Sequence, residues 1–341
     1  MSYQDITSLS SAGNATSETT PFFGEIPPTY KKKFEWGAYK SGLTPKEKCL
    51  PCGSAPTFWS INWAAALLHL VNTVATIILW INSDDRDHVF KLKETYSPWV
   101  PRNGQCLPGA FQISEDWCVD SKTEETSELS LWWLVIVFHF LSFLFQALAM
   151  AEWNFNFFGF DFIRENYVNE VVEHGTNSLR MIEYSISATL MQISIALILG
   201  VWERLAIIGI AFLTAVTMLL GLIAEQLKND RKNIAWISHF TGWLSMLGVW
   251  VILGRQFYLN VEKSGSNPPP GFVYAIVIVI AILYIGFGFI QFAQLYLSTS
   301  KNSPTLNRTI EIVYCVNSLT SKTFLGWILF GNALSGMATN N

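Results

Sequence analysis

The chain has 341 residues and a net charge of -4; half of its residues are apolar, only 14% are charged, and it carries 14 Trp and 24 Phe. A soluble domain carries about 25% charged residues, so this chain is short of charge for a water-facing surface. The slight acidic balance excludes the basic footprint of a nucleic-acid-binding protein.

In chain order, residues 1–56 open on MSYQDITSLSSAGNATSETT, which has neither a basic n-region nor an apolar core. A disordered cytoplasmic tail is expected there, not a signal peptide. Lys31-Lys32-Lys33 adds a basic arm, and Cys49-Leu-Pro-Cys52 lacks the second pair that zinc needs, so it reads as a juxtamembrane thiol pair. Apolar runs of about 20 residues then recur. They lie at 57–81, 129–151, 179–200, 205–226, 234–257, 272–297 and 308–331, which predicts an all-α membrane protein with a seven-helix domain over 57–331. Trp59, Trp80, Trp132, Trp153, Trp202, Trp236, Tyr258 and Tyr296 stand near the ends of these runs, as interfacial belts require. Residues 82–128 form a long connection with turn residues and β-prone pieces, long enough to fold over the outer face. Within it Cys106 and Cys118 either pair, on an oxidising side of the membrane, or remain two free thiols. Residues 332–341 are a short outer tail.

Orientation follows from the basic residues. With the N-terminus in the cytoplasm, thirteen of the 22 Lys and Arg fall on the inner side and eight on the outer, five of these in the one long connection. That bias predicts N-inside and C-outside. The remaining residue, Lys322, lies inside the last run, NSLTSKTFLGWILF. A charge at bilayer depth costs roughly 2.5–3.5 kcal/mol on insertion scales, so Lys322 is a functional candidate by default.

The third run supplies an opposite charge. Arg180 and Glu183, three apart, share a helix face, and Ser187 and Ser194 continue it. Arg180 either snorkels at the inner end or belongs to the site; Glu183 lies deeper and pairs naturally with Lys322. His69 and His139, inside the first two runs, read either as hydrogen-bonded core residues or as proton carriers. Glu311, eleven residues before Lys322, lies about 16 Å away on nearly the same face. It reads equally as an interfacial acid near Arg308.

Arg180-Met181-Ile182-Glu183-Tyr184-Ser185-Ile186-Ser187-Ala188-Thr189-Leu190-Met191 resembles the third-helix signature of heliorhodopsins, and Ser321-Lys322 is similar to that family's retinal attachment site. The resemblance covers residues 57–331 and implies a light-sensing retinal protein with inverted orientation. Lys322 would hold all-trans retinal as a protonated Schiff base, Glu183 would be the counterion, and Ser187 and Ser321 would tune the pair by hydrogen bonds. His69 and His139 would lie in a polar cavity on the cytoplasmic side of that nitrogen. Together with Arg180 and Glu311 they would form its proton-transfer set. A homodimer and a cytoplasmic signalling partner are also implied.

Pumps of the bacteriorhodopsin type have a second acid where Ser318 stands and often a proton donor where Ser194 stands, so a slow, sensor-like photocycle is expected instead. The alternative is a light-activated proton route through the histidines and Glu311. Met191, Met218, Gly221, Trp250, Phe289 and Gln291 are candidate pocket walls, although no Pro precedes Trp250 as in many family members. No metal cluster, phosphate loop or nucleophilic triad appears in the sequence, so enzyme chemistry is not expected.

Overall fold

Long runs of Leu, Ile, Val, Ala and Phe have no polar side chains to compete with backbone hydrogen bonding, and in an apolar medium every backbone N–H and C=O must be satisfied within its own segment. Seven long helices result among the described residues. In the computed structural model they are α1 Ala55–Ile81, α2 Leu131–Met150, α3 Ser178–Ile198, α4 Arg204–Leu227, α5 Lys232–Lys263, α6 Gly271–Ser298 and α7 Pro304–Ile328. The structure describes residues 55–83, 86–101, 111–112, 117–119, 121–150, 155–157, 160–162, 169–298 and 303–334. The expected N-terminal tail with its basic arm, the Cys49–Cys52 pair and most of 332–341 lie outside the described residues. Among the described residues six helices, α1 to α6, are long and apolar enough to cross a membrane. The seventh, α7, carries Asn307, Arg308, Glu311, Asn317 and Lys322, and this polarity keeps it out of that set.

Local chemistry sets several helix ends. The Asn177 side chain accepts from Arg180 N at 2.9 Å and caps α3, while Ser303 accepts from Leu306 N at 3.2 Å, with Pro304 in the first turn of α7. Gly200 ends α3 at φ 77, a left-handed conformation that favours glycine. Successive helices pack on one another around a ring, and α7 returns to α1. Val135, Phe138, Ile195, Ile210, Leu253, Ile280 and Leu325 fill its centre. Leu67, Phe212, Leu244, Val251 and Ile282 point outward with no protein cover, as a lipid-facing surface does.

The connection from α1 to α2 carries strands. β1 Phe90–Tyr96 pairs antiparallel with β5 Lys122–Leu129, from Phe90↔Leu129 to Tyr96↔Lys122, with a bulge between Leu92 and Lys93. A smaller sheet orders β2 Trp99–Pro101, β4 Trp117–Val119 and β3 Phe111–Gln112. The ladder sits over the α3–α4 turn: Lys93 N donates to Trp202 O at 2.8 Å, and Arg204 pairs with Glu94 at 3.1 Å. Cys118 is disulfide-bonded, so the free-thiol alternative falls; Cys106, its expected partner, lies outside the described residues. At the other end of the bundle, the α2–α3 connection holds a short hairpin, β6 Phe155–Phe157 with β7 Phe160–Phe162, and a π-helical turn, Asn169–Glu173.

Candidate functional site

Lys322 on α7 and Glu183 on α3 meet inside the ring. Lys322 Nζ donates to Glu183 Oε1 at 2.6 Å and to Ser142 Oγ on α2, also at 2.6 Å. Both charged residues are buried, at 3% and 5% exposure. Ser142 has one proton and two acceptors for it, Glu183 Oε1 at 2.6 Å and Phe138 O at 3.0 Å. Three helices thus converge on one ion pair, and the Tyr184 ring lies 4.9 Å from Lys322 Nζ. Ser142 was not singled out from the sequence. Its signal was only that it follows His139 by three residues, on the same face of a helix lined with Phe.

The other serines play different parts from those expected. Ser321 Oγ donates to Ser318 O on its own helix at 3.0 Å, and Ser194 Oγ donates to Leu190 O at 2.9 Å. Ser187 Oγ is buried without a hydrogen-bond partner among the described residues. Ser318 is buried on the same face of α7 as Lys322.

The proton-transfer candidates separate into two groups. His69 and His139 are buried with their Nδ1 atoms 3.3 Å apart. They lie toward the C-terminal end of α7: a Cβ added at Gly326, one turn beyond Lys322, would come within 2.6 Å of His139 Nε2. Glu311 lies three turns the other way. The histidines, expected in a cavity on the cytoplasmic side of the lysine, and Glu311, expected on the same route, therefore lie on opposite sides of Lys322. Depth decides it, because α2 runs antiparallel to α7 and places His139 beyond Ser142.

Glu311 belongs to a second buried cluster, and so does Arg180. The Arg180 guanidinium bonds Glu311 through one terminal nitrogen and Glu225 on α4 through the other, with its Cζ 3.8 Å from the Tyr314 ring centroid. Asn177 bonds both acids, Nδ2 to Glu311 at 2.7 Å and backbone N to Glu225 at 3.1 Å. Arg180 therefore neither snorkels nor pairs with Glu183, and Glu311 pairs with Arg180 and not with Arg308. Glu225 and Lys228 were missed in the sequence, where they look like a polar helix end. A small cavity of about 30 Å³ joins the two clusters, touching Glu183, Tyr184, Arg180, Glu311, Asn62 and Gln146. That volume admits two or three waters at roughly 10–15 Å³ each.

A larger cavity of about 260 Å³ opens among α3 to α7. It is near the lower end of the range for ligand clefts, roughly 300–1,000 Å³. Tyr184 lines it, as do Met218, Trp243, Trp250, Tyr284 and Gln291. Met218, Trp250, Gly221 and Gln291 were expected walls. Met191 and Phe289 are not: Met191 is packed into the central core, and Phe289 is 63% exposed on the outer surface of α6. Trp243, Tyr284 and His239 take their place. Trp243 Nε1 donates to His239 Nε2 at 3.0 Å, which leaves His239 Nδ1 to donate to Gln291 Oε1 at 3.0 Å. A Cβ at Gly288 would collide with the Trp243 ring. Gly288→Ala should therefore displace Trp243 and reduce the yield of any pigment formed in this cavity, whereas Gly254→Ala, which meets nothing within 4 Å, should not; ligand-binding absorbance on both variants checks this.

A ring of apolar helices around a buried Lys–Glu pair and an adjoining aromatic cavity defines the rhodopsin class of membrane protein. The solved transmembrane domain of the Salpingoeca rosetta rhodopsin phosphodiesterase is similar, with a TM-score of 0.53 at 13% identity over 81% of this chain and 84% of that one. A second structure of that domain with its linker region gives 0.55 at 13% identity, over 82% and 72%. At this identity the likeness is one of fold. No curated protein matches the chain. The family model for heliorhodopsin matches residues 58–334, and the chain belongs to that family. It is accordingly an integral membrane photoreceptor of the retinal-binding, light-sensing rhodopsins.

Proposed function

We propose that this protein is a photoreceptor in which all-trans retinal is attached to Lys322 as a protonated Schiff base, with Glu183 as counterion and a slow, sensor-like photocycle. The observation that carries the reading is the 2.6 Å contact of Lys322 Nζ with Glu183 Oε1, both buried, beside an apolar cavity. The residues present fit such a group. Tyr184 both underlies the lysine nitrogen and lines the cavity, and Gly221, Gly242 and Gly288 keep its walls free of Cβ atoms. Retinal bound there supplies absorption of visible light and double-bond isomerisation. The chain supplies the rest: Glu183 holds a proton on the lysine nitrogen, Ser142 gives that N–H a second acceptor, and the aromatic walls exclude water.

Seven crossings with the N-terminus in the cytoplasm accompany this reading. The polar residues of α7 turn inward, Asn307, Glu311, Ser318, Ser321 and Lys322 being buried, while Val313, Val316 and Trp327 face outward. The Cys118 disulfide supports an oxidising, outer location for the α1–α2 connection. The resemblance that implies the chromophore also implies the homodimer and the cytoplasmic signalling partner.

Adding all-trans retinal to the expressed protein tests the proposal: a visible absorption band is expected, and its absence overturns the reading. Glu183→Gln removes the carboxylate charge while keeping the size. The band should move to longer wavelength or, where the proton is lost, be replaced by near-ultraviolet absorption; an unchanged spectrum overturns the counterion assignment.

A second reading, light-activated proton movement, is favoured by the small cavity between Glu183 and Glu311. Its route would run through that cavity and not through the histidines. Photocurrents under voltage clamp that vanish in Glu311→Gln, with the pigment intact, are its expected signature; a wild type with a normal photocycle and no current removes it.

A further inference from the structure

Residues 169–177 are held by side chains of α4, α6 and α7, and the hold through Asn177 leads back to the carboxylates that bind Arg180. Gly175 O accepts from Lys228 Nζ on α4 and from Gln294 Nε2 on α6, the latter at 2.6 Å. Val172 O accepts from Asn307 Nδ2 on α7 at 2.9 Å. Gly175 has φ 64, and a Cβ there would collide with Asn307, so only glycine lets the turn sit this close. Asn177 bonds Glu225 and Glu311, the same two acids that grip Arg180. Thr176 N and Ser178 N donate to Glu170, each at 3.0 Å, and close the turn. Gly175, Thr176 and Asn177 are buried, while Glu173 and His174 are exposed.

Arg180 is also the cation placed to respond to Glu183. It lies one turn away on the same helix, and both line the small cavity. Its Nε is buried without a hydrogen-bond partner among the described residues, so it holds a donor in reserve. While Lys322 pairs with Glu183, that donor has no competing anion to serve. When the Lys322–Glu183 pair is broken, the carboxylate keeps only Ser142, and an unpaired buried charge is costly.

We infer that Arg180 is a latch: breaking the Lys322–Glu183 pair draws its guanidinium toward Glu183, loosens it from Glu225 and Glu311, and releases the 169–177 turn that those acids hold through Asn177. No proton or covalent bond needs to move within the latch. Its consequence is a light-controlled loosening of the 169–177 turn, which deepens the photoreceptor reading by naming the segment that reports the state of the site.

Hydrogen–deuterium exchange of peptides spanning 169–180 tests it, first without retinal. Lys322→Met breaks the pair and should speed exchange of the Thr176–Arg180 amides by about tenfold, the scale of one lost charge-assisted hydrogen bond. Lys322→Met with Glu183→Gln removes the attracting charge and should return exchange to the wild-type rate. Equal exchange in wild type and the single variant, or no recovery in the double variant, overturns the latch. The second measurement needs no variant: illuminating wild-type pigment should speed the same amides, and unchanged exchange under light overturns it. If retinal gives no visible band, the photoreceptor reading fails separately, and the retinal-free arm still decides the latch.

Discussion

Lys322→Ala should be colourless with all-trans retinal under conditions where the wild type shows a visible band. No other described lysine can substitute. Lys91, Lys93, Lys122, Lys232 and Lys263 are not buried, and Lys228, the remaining buried one, is committed to Gly175 O, whereas Lys322 Nζ lies 4.9 Å from the ring of Tyr184, which lines the aromatic cavity. The alanine variant also leaves Glu183 buried without its cation, and breaking a buried pair from one side costs about 3–5 kcal/mol. Loss of colour alone would therefore confuse a missing attachment point with a misfolded bundle. Lys322→Ala with Glu183→Gln separates the two, because it removes the stranded charge. The double variant should regain most of the thermal stability and remain colourless; a band in either variant overturns attachment at Lys322.

The pairing of Lys322 with Glu183 was legible in the sequence because each is a charge inside a run that otherwise reads as membrane. The seven helices were legible for the same reason, and their observed ends depart from the expected ones mainly at α5, which continues to Lys263. Depth and azimuth were harder. His139 is three residues before Ser142 on a helix antiparallel to α7, so its level follows only once the Ser142–Lys322 contact is known. Phe289 stands two residues before Gln291, and a helix turns about 200° over two residues, so the one faces lipid where the other lines the cavity. Glu225 and Lys228 look in sequence like the solvated end of α4. What buries them is the 169–177 turn folding over that end, a tertiary event that no local pattern announces. The strands between α1 and α2 were anticipated only as β-prone pieces, because pairing registers such as Phe90↔Leu129 depend on partners 39 residues apart.

Arg180→Met should be among the most destabilising single substitutions in the protein. Arg180 and Glu225 are 5% and 0% exposed at their side chains, and Glu311 is 9% exposed, so removing the guanidinium leaves two buried carboxylates facing one another. Asn177 bonds each once, which is too little to carry two charges out of water. A loss of about 3–5 kcal/mol is expected for breaking a buried pair from one side, with more to come from the second acid. The exposed pair Arg204–Glu94, at 45% and 35% side-chain exposure, gives the internal comparison. Arg204→Ala should cost less than about 1 kcal/mol and lose what effect it has at high salt, whereas the Arg180→Met loss should be insensitive to salt. Reversible unfolding in mixed micelles measures both. Adding Glu225→Gln and Glu311→Gln to Arg180→Met removes the stranded charges, and most of the stability should return, as it does when a buried ionic cluster is replaced whole. If Arg180→Met costs no more than Arg204→Ala, the Asn177 bonds and Lys228 hold the inner end of the bundle without it, and Arg180 has no grip to release when the Lys322–Glu183 pair changes.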